Sequence, residues 1–364
     1  MKLLIALLGL TTIAIQAQAP TTPSHTDEYV RYELLAPGTY KVMLETSVTT
    51  AGAREYVDPI PPGASVTGAT AVDMMTGAPL DVKTTHGGVT VALARAVPAR
   101  GQGRLRLETT VRNAGAYAGS GGAITFRQTL PSRRGSVVLP AGFELASCNM
   151  PVQVLSESDG RIIASFMNQA PGRVELVVEG RAGAAVGPAA VPTPLTNKRS
   201  WETPPTQGPT ERARLTERAH QDRDITYFLQ QPSTNAFSLF HDYTESREGV
   251  DKYMNVVRTG SRVSNPSAYV LDTGEVLKQE TLRGSAITEA KLDIGEPVTP
   301  ETEVVVIHFP PVKAGQSLRL RISETYTAPV SYRLEGNDLV FERSFGRPRN
   351  SVVLPAGWYL TASS

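Results

Sequence analysis

The 364-residue sequence contains a single cysteine, an almost balanced charge and few aromatic side chains. One cysteine excludes an internal disulfide, a thiolate zinc site and an iron–sulfur cluster. Lysine and arginine total 36 against 35 acidic residues. Bulk charge therefore provides no attraction to nucleic acid or to an anionic membrane, and we expect no nucleic-acid partner. Hydrophobic residues make up 40% of the chain, which is enough to bury a core, and the length predicts two domains.

Long apolar runs are also missing, except at the amino terminus. There Lys2 is followed by an apolar run over 3–15 and by Ala17-Gln18-Ala19, which has the small–x–small form of a cleavage site. Because the run is too short to cross a bilayer, residues 1–19 are predicted to be a secretory signal peptide. We therefore expect a periplasmic or extracellular protein with no transmembrane segment in the mature chain.

The sequence repeats itself at an offset of 215 residues. The segment 136–142, Ser-Val-Val-Leu-Pro-Ala-Gly, recurs unchanged at 351–357. Further upstream the offset is 197, which places 18 additional residues of the second copy between Leu277 and Val304. The pattern indicates one module present twice in tandem.

The two copies have unequal lengths. We place repeat 1 at 27–181 and repeat 2 at 236–364. After Gly142, repeat 1 continues with further strand-like runs, whereas repeat 2 stops a few residues beyond Trp358. We therefore expect repeat 2 to be truncated and the natural chain to extend beyond Ser364.

Both repeats have the periodicity of β-strands. Leu318, Leu320 and Ile322, for example, alternate with Arg319 and Arg321, which predicts one apolar and one polar face. Turn dipeptides punctuate these short runs, and no helical pattern lies between them. The predicted fold class is therefore all-β, with two tandem antiparallel β-sandwich domains.

The segment between the repeats has a different composition. Residues 182–209 are rich in alanine, proline and threonine, which predicts an extended linker. Residues 210–230 are predicted to form a helix that Thr210 caps and that ends before Pro232. This helix could bind a partner, or it could pack on the second sandwich and set the angle between the domains. Its thin apolar stripe favours the packing role.

The sequence contains no motif that predicts a catalytic residue, a metal ligand or a cofactor site. The five histidines lack metal-ligand spacing, and neither a Gly-x-Ser-x-Gly elbow nor a phosphate loop is present. His241 and Asp242, with Glu245, form the one compact polar constellation. These groups could bind a metal or perform acid–base chemistry, or they could lie in a solvated turn, which is the interpretation we favour.

Arginine before the repeated motif is the one duplicated polar feature. Arg134 and Arg349 keep strict register, and Arg133 and Arg347 lie in the same two regions. Guanidinium groups suit carboxylate, sulfate and phosphate, so these four residues are candidate ligands for an anionic glycan or a lipid headgroup. Alternatively, they guard a sheet edge or form an internal salt bridge that locks the loop.

The duplicated Arg-x-Ser-Val-Val-Leu-Pro-Ala-Gly-aromatic motif, behind a signal peptide, resembles that of a group of exported bacterial proteins of unknown function. A less specific likeness is to the β-sandwich modules that accompany secreted peptidases and transglutaminases. We therefore expect an exported, non-enzymatic binding or structural module of the cell envelope, with an envelope protein or an anionic glycan as partner. The alternative is the non-catalytic N-terminal part of a larger secreted hydrolase.

Overall fold

The computed structural model describes residues 28–130, 134–167, 174–183, 217, 219, 223–345 and 349–363. Within these residues the chain forms 25 strands and one short α-helix. The predicted all-β fold is therefore confirmed. The predicted signal peptide and most of the predicted linker lie outside the described residues. In the described part, no helix is both long and apolar enough to cross a membrane.

Repeat 1 builds three sheets. The strands are β1 (Tyr29–Leu34), β2 (Thr39–Val48), β3 (Glu55–Pro59), β4 (Ser65–Asp73), β5 (Pro79–Leu80), β6 (Val82–Thr84), β7 (Gly88–Ala92), β8 (Gly103–Arg112), β9 (Tyr117–Ser120), β10 (Ala123–Leu130), β11 (Arg134–Val138), β12 (Phe143–Cys148), β13 (Val152–Ser156), β14 (Ile162–Met167) and β15 (Val174–Ala182). The sheets have the strand orders β13-β14-β11-β1-β2-β8-β4-β5, β12-β15-β10-β9 and β3-β7-β6.

Repeat 2 builds three smaller sheets, and its first strand, β16, lies before the predicted start of the repeat at 236. Its elements are β16 (Asp224–Leu229), β17 (Ala236–Glu245), β18 (Lys252–Val257), β19 (Arg262–Val270), β20 (Lys278–Arg283), α1 (Ser285–Glu289), β21 (Glu303–His308), β22 (Leu318–Thr327), β23 (Tyr332–Glu335), β24 (Asp338–Phe341) and β25 (Arg349–Val353). The sheets have the strand orders β19-β22-β17-β16-β25, β18-β21-β20 and β23-β24.

Inward-facing aromatic side chains of the strands lie at the centre of each core. In repeat 1, the ring of Phe126 lies 5.1 Å from that of Tyr32 and 5.2 Å from that of Tyr40. In repeat 2, Phe237 stacks on Tyr326 with the ring centroids 5.6 Å apart. These aromatic side chains point inward because successive residues of a strand alternate between its two faces.

Each repeat contains one parallel strand pair that was not predicted from the sequence. β11 runs parallel to β1, and β25 runs parallel to β16. The prediction of purely antiparallel sandwiches is therefore wrong for these two pairs. The first strand of each repeat is paired with a strand more than one hundred residues later, so no hairpin signal marks the pairing.

The predicted helix over 210–230 is wrong in its C-terminal part, because Asp224–Leu229 is the strand β16. This stretch contains Tyr227 and Leu229 facing the core of repeat 2, in the period of a strand. Its β-branched and aromatic residues also favour a strand over a helix. Of the remaining predicted helix the structure describes residues 217, 219, 223 and 230, and none of these four is helical.

The additional residues of repeat 2 form an excursion between β20 and β21. It contains α1, whose buried Ile287 contacts Val304 and Val306 of the small sheet. The excursion therefore covers an outer face of repeat 2 with its own apolar cluster.

Candidate functional site

Arg134, the first residue of β11, is buried against the chain itself. Its Nη1 donates to the carbonyl oxygen of Ala219 at 2.6 Å, and its guanidinium lies 6.0 Å from the ring centroid of Tyr29. The guanidinium is thus directed at the segment that joins the repeats, through a hydrogen bond to a backbone carbonyl. Arg133 lies outside the described residues.

Glu217 is the centre of this contact and was missed by the sequence analysis. Its fully buried carboxylate accepts hydrogen bonds from the Tyr29 hydroxyl at 2.7 Å and from the Ser165 hydroxyl at 2.9 Å. Ser136, from the repeated motif, lies 2.7 Å from the same tyrosine oxygen. Burial and the nearby carboxylate raise the pKa of Tyr29 far above its ordinary value, so the hydroxyl stays protonated and donates.

Arg349 occupies the position in repeat 2 that Arg134 occupies in repeat 1, but it has a different neighbour. Arg349 Nη1 lies 3.9 Å from Oδ2 of Asp224 on β16, whereas Arg134 lies over the ring of Tyr29 on β1. Arg347 lies outside the described residues. The two repeated arginines therefore share a position next to the first strand of their repeat, and each contacts that strand.

The polar constellation of His241, Asp242 and Glu245 lies on strand β17, so the interpretation as a solvated turn is wrong. Alternation along the strand turns His241 and Glu245 to the buried face and Asp242 to the opposite face. There Asp242 forms a bidentate ion pair with Arg321 at 2.7 and 2.8 Å. The structure therefore places Asp242 on the opposite face of the strand from His241 and Glu245.

Polar side chains on the buried face of β17 are hydrogen-bonded within repeat 2. His241 Nδ1 lies 3.3 Å from the Tyr253 hydroxyl, and Tyr243 donates to Glu245. Burial disfavours the charged carboxylate of Glu245, but hydrogen bonds from Arg247 and Tyr243 outweigh it and hold its pKa below the ordinary value. Among the described residues, no three His, Cys, Asp or Glu side chains are grouped to hold a metal ion.

A buried ion pair joins the repeats, and the sequence did not predict it. Arg104, at the start of β8, donates from Nε to Asp272 Oδ1 at 2.5 Å and from Nη2 to Oδ2 at 2.9 Å. The two side chains are 3% and 0% exposed. Nη2 also contacts the carbonyl oxygen of Ser317 at 3.2 Å. The recurrence of 104–106 at 319–321 was the available signal, but it did not identify the partner.

Backbone hydrogen bonds around this pair connect equivalent turns. The Gln102 amide donates to the Leu271 carbonyl at 2.8 Å, and the Ser317 amide donates to the Met75 carbonyl at 2.9 Å. A Cβ atom at Gly77 would lie 2.7 Å from the carbonyl oxygen of Gly315, so the backbones approach closely. Together these contacts fix the two sandwiches relative to each other.

The outer edge of repeat 2 differs from that of repeat 1. β11 lies between β1 and β14, whereas in the described part of the chain β25 pairs with β16 alone. Val137 and Val138 of β11 are 0% exposed, but Val352 and Val353 at the equivalent positions of β25 are 39% and 43% exposed. Repeat 2 therefore has an apolar strand at its surface where repeat 1 has a buried one.

Comparison with known proteins gives limited similarity. No family model matches the chain, and no curated protein matches it. Among solved structures, it is similar to the M1 zinc metallopeptidase from Deinococcus radiodurans and to a two-domain M1 zinc metallopeptidase bound to L-arginine. Each match has 15% sequence identity and a TM-score of 0.32, and covers 42% of this chain. The matched region spans 41% of each peptidase chain.

Proposed function

We propose that the chain is an exported, non-enzymatic protein that acts as a two-domain binding module of the cell envelope. The observation that carries the proposal is the buried Arg104–Asp272 pair between the repeats. Domains of one chain usually move relative to each other unless their interface is large or specific. A bidentate ion pair with surrounding backbone hydrogen bonds fixes the two sandwiches, which suits presentation of a surface to a partner.

The polar clusters of the described residues support a structural use of their charges. Arg134 donates to the chain's own Ala219, Asp242 is paired with Arg321, and Glu245 with Arg247. Because buried guanidinium and carboxylate groups need partners, these contacts stabilise the sandwiches. We therefore favour a protein as the partner over the anionic glycan that the arginines alone suggested.

Export is tested by fractionation of the tagged full chain in a Gram-negative host. We expect a processed protein in the periplasm or medium, with a mass that corresponds to cleavage after Ala17 or Ala19. The matched control carries Leu7→Arg and Leu8→Arg, which interrupt the apolar run of the signal, and should stay unprocessed in the cytoplasm. An unaltered chain that also stays unprocessed in the cytoplasm would overturn the proposal.

A further inference from the structure

We propose that repeat 1 carries a pocket that binds an acidic side chain of a partner protein, and that Glu217 of the inter-repeat segment fills this pocket as an internal ligand. The proposal rests on the proposed binding function and names its contact site and the chemistry and control of its partner. The pocket, which we call the carboxylate pocket, consists of four buried polar side chains: Tyr29, Arg134, Ser136 and Ser165.

Three neighbouring strands hold the carboxylate pocket. β11 lies between β1 and β14, and it places Ser136 directly opposite Ser165. The next residues along the three strands, Val30, Val137 and Phe166, belong to the apolar core of repeat 1. Because side chains alternate between the two faces of a strand, the pocket residues lie on the outer face of the same sheet. The pocket is therefore positioned by the strand register and not by the segment that fills it.

The hydrogen bonds of Glu217 show which ligand atoms the pocket accepts. Its Oε1 accepts from the Tyr29 hydroxyl at 2.7 Å and from the Ser165 hydroxyl at 2.9 Å. Burial raises the pKa of Tyr29, so that hydroxyl remains a donor. Two converging hydroxyl donors suit a carboxylate oxygen, because hydrogen bonds to a charged acceptor are stronger than those to a neutral one.

A second contact distinguishes a peptide from other carboxylates. Arg134 Nη1 donates to the main-chain carbonyl oxygen of Ala219 at 2.6 Å, two residues beyond the glutamate. Ala219 also packs against Tyr29 and Met43. The pocket therefore recognises an acidic residue that is followed at the second position by a small residue, whose carbonyl reaches the arginine. A sugar acid offers the carboxylate without this carbonyl, so a protein partner fits better.

Glu217 satisfies the pocket only in part. Its Oε2 is buried and has no hydrogen-bond partner in the part of the chain that the structure describes. The two hydrogen bonds to Oε1 come from uncharged groups, and burial of a carboxylate with such partners is costly. The internal ligand is therefore held largely by its tether, which gives it an effective concentration on the order of mM.

Release of Glu217 would leave the arrangement of the repeats intact. The Arg104–Asp272 ion pair, which fixes the two sandwiches, is made by residues outside the carboxylate pocket. A partner that supplies its own acidic residue and covers further surface can therefore take the place of the segment without separating the domains.

A peptide with the sequence of residues 213–221 tests the pocket of the full-length mature chain by fluorescence anisotropy. The same peptide with Glu217→Ala sets the background. We expect the unaltered chain to bind the acidic peptide weakly, and a Glu217→Ala chain to bind it at least tenfold more tightly, because the tethered competitor is gone. Circular dichroism verifies that the variant chain folds.

A matched pair of hydroxyl deletions locates the binding. In the Glu217→Ala chain, Tyr29→Phe removes a donor of the pocket and should weaken binding of the acidic peptide about tenfold. Tyr117→Phe removes a hydroxyl that donates to the Leu35 carbonyl elsewhere in repeat 1, and it should leave binding unchanged. An oligogalacturonate should displace the peptide only at much higher concentrations, since it lacks the main-chain contact.

Four results would overturn the carboxylate pocket. Binding of the acidic peptide at the background level would make Glu217 an internal structural contact alone. Equal affinity of the unaltered and Glu217→Ala chains, or equal losses in Tyr29→Phe and Tyr117→Phe, would place the peptide elsewhere. An oligogalacturonate that competes better than the peptide itself would assign the pocket to an acidic glycan. Fractionation of the unaltered chain does not depend on the peptide, so failure of the pocket and failure of the export proposal are distinguishable.

Discussion

The guanidinium of Arg104 and the carboxylate of Asp272 form a bidentate ion pair across the junction of the two repeats. Both side chains are buried, and Asp272 also accepts from the backbone amide of Arg319 at 3.1 Å. The Asp272 carboxylate therefore connects the second residues of two equivalent strands, Arg104 of β8 and Arg319 of β22.

Removal of one member of this pair should be strongly destabilising. We expect Arg104→Met to lower the free energy of unfolding by about 3–5 kcal/mol, because it leaves the Asp272 carboxylate buried without its counter-charge. Urea-induced unfolding of the mature chain measures the loss. The double variant Arg104→Met, Asp272→Leu should recover a large part of it, since no lone charge remains.

The control for this experiment is an exposed ion pair. Arg333→Met removes the partner of Glu335 on the surface of repeat 2, where solvent screens the interaction, and it should leave unfolding almost unchanged. An equal loss in Arg104→Met and Arg333→Met would contradict the special role of the buried pair.

The same substitution in the two repeats should have different effects. Val137→Asp places a carboxylate in the buried β11, and we expect it to destabilise by more than about 3 kcal/mol. Val352→Asp alters a partly exposed side chain of β25 and should cost less than about 1 kcal/mol. Thermal unfolding of both variants compares them, and similar losses would mean that β25 is covered in solution.

Glu217 should hold the inter-repeat segment against repeat 1. We expect Glu217→Ala to increase the rate of tryptic cleavage after Arg218 several-fold, because the variant loses the hydrogen bonds from Tyr29 and Ser165. Limited proteolysis followed by mass spectrometry measures the rate. Glu248→Ala, at an exposed turn, is the control, and equal cleavage at Arg218 in both variants would contradict the prediction.

Asp58 should make stability depend on pH. Burial raises its pKa from 3.8 to about 6, although a hydrogen bond from Tyr56 opposes the shift. Between these values the folded state holds a proton that the unfolded state has lost, so this contribution to stability falls as pH rises from about 4 to about 6.

The variant Asp58→Asn should remove this contribution. Its free energy of unfolding relative to the unaltered chain should increase from pH 4 to pH 7, by at most about 3 kcal/mol. Urea unfolding at several pH values measures the difference. Parallel profiles for the two proteins would show that Asp58 titrates normally.

Position 135 in repeat 1 should not accept a residue larger than glycine without a loss of stability. We expect Gly135→Asn, which copies the residue of repeat 2, to destabilise by about 1–3 kcal/mol, because a Cβ atom there would lie 2.4 Å from the Val30 carbonyl oxygen and 2.7 Å from the Phe166 ring. Addition of Phe166→Ala should relieve part of the crowding, and a double-mutant cycle measures the coupling. Strictly additive losses would contradict a contact between the two positions.

Local patterns predicted the strands but not their partners. The alternation of Leu318, Leu320 and Ile322 depends only on neighbouring residues, so β22 was predicted correctly. The parallel pairing of β1 with β11 depends on the path of the chain between them and leaves no local signal. At Asp224–Leu229 a short apolar run fits both a helix and a strand, and pairing with β17 and β25 makes it a strand.

In the candidate site, too, single residues could be predicted from the sequence but their contacts could not. The sequence singled out Arg134 because it recurs, but its contacts, Ala219 and Tyr29, come from two distant segments. The ion pair at the junction was missed, since Arg104 and Asp272 are 168 residues apart and belong to different repeats. Sequence spacing can predict that two side chains of one strand or helix lie close together. The contacts of Arg134 and the Arg104–Asp272 ion pair each join residues of different strands or segments, so spacing could not predict them.

The junction between the repeats also has the symmetry of a contact between two like subunits. Gln102 and Ser317 occupy equivalent positions, and each donates its amide to the turn of the other repeat, as in the isologous contact of a two-fold symmetric dimer. At this junction the single polypeptide is thus arranged like a homodimer. Because the two halves are covalently linked, their contact does not depend on protein concentration as a dimer contact does.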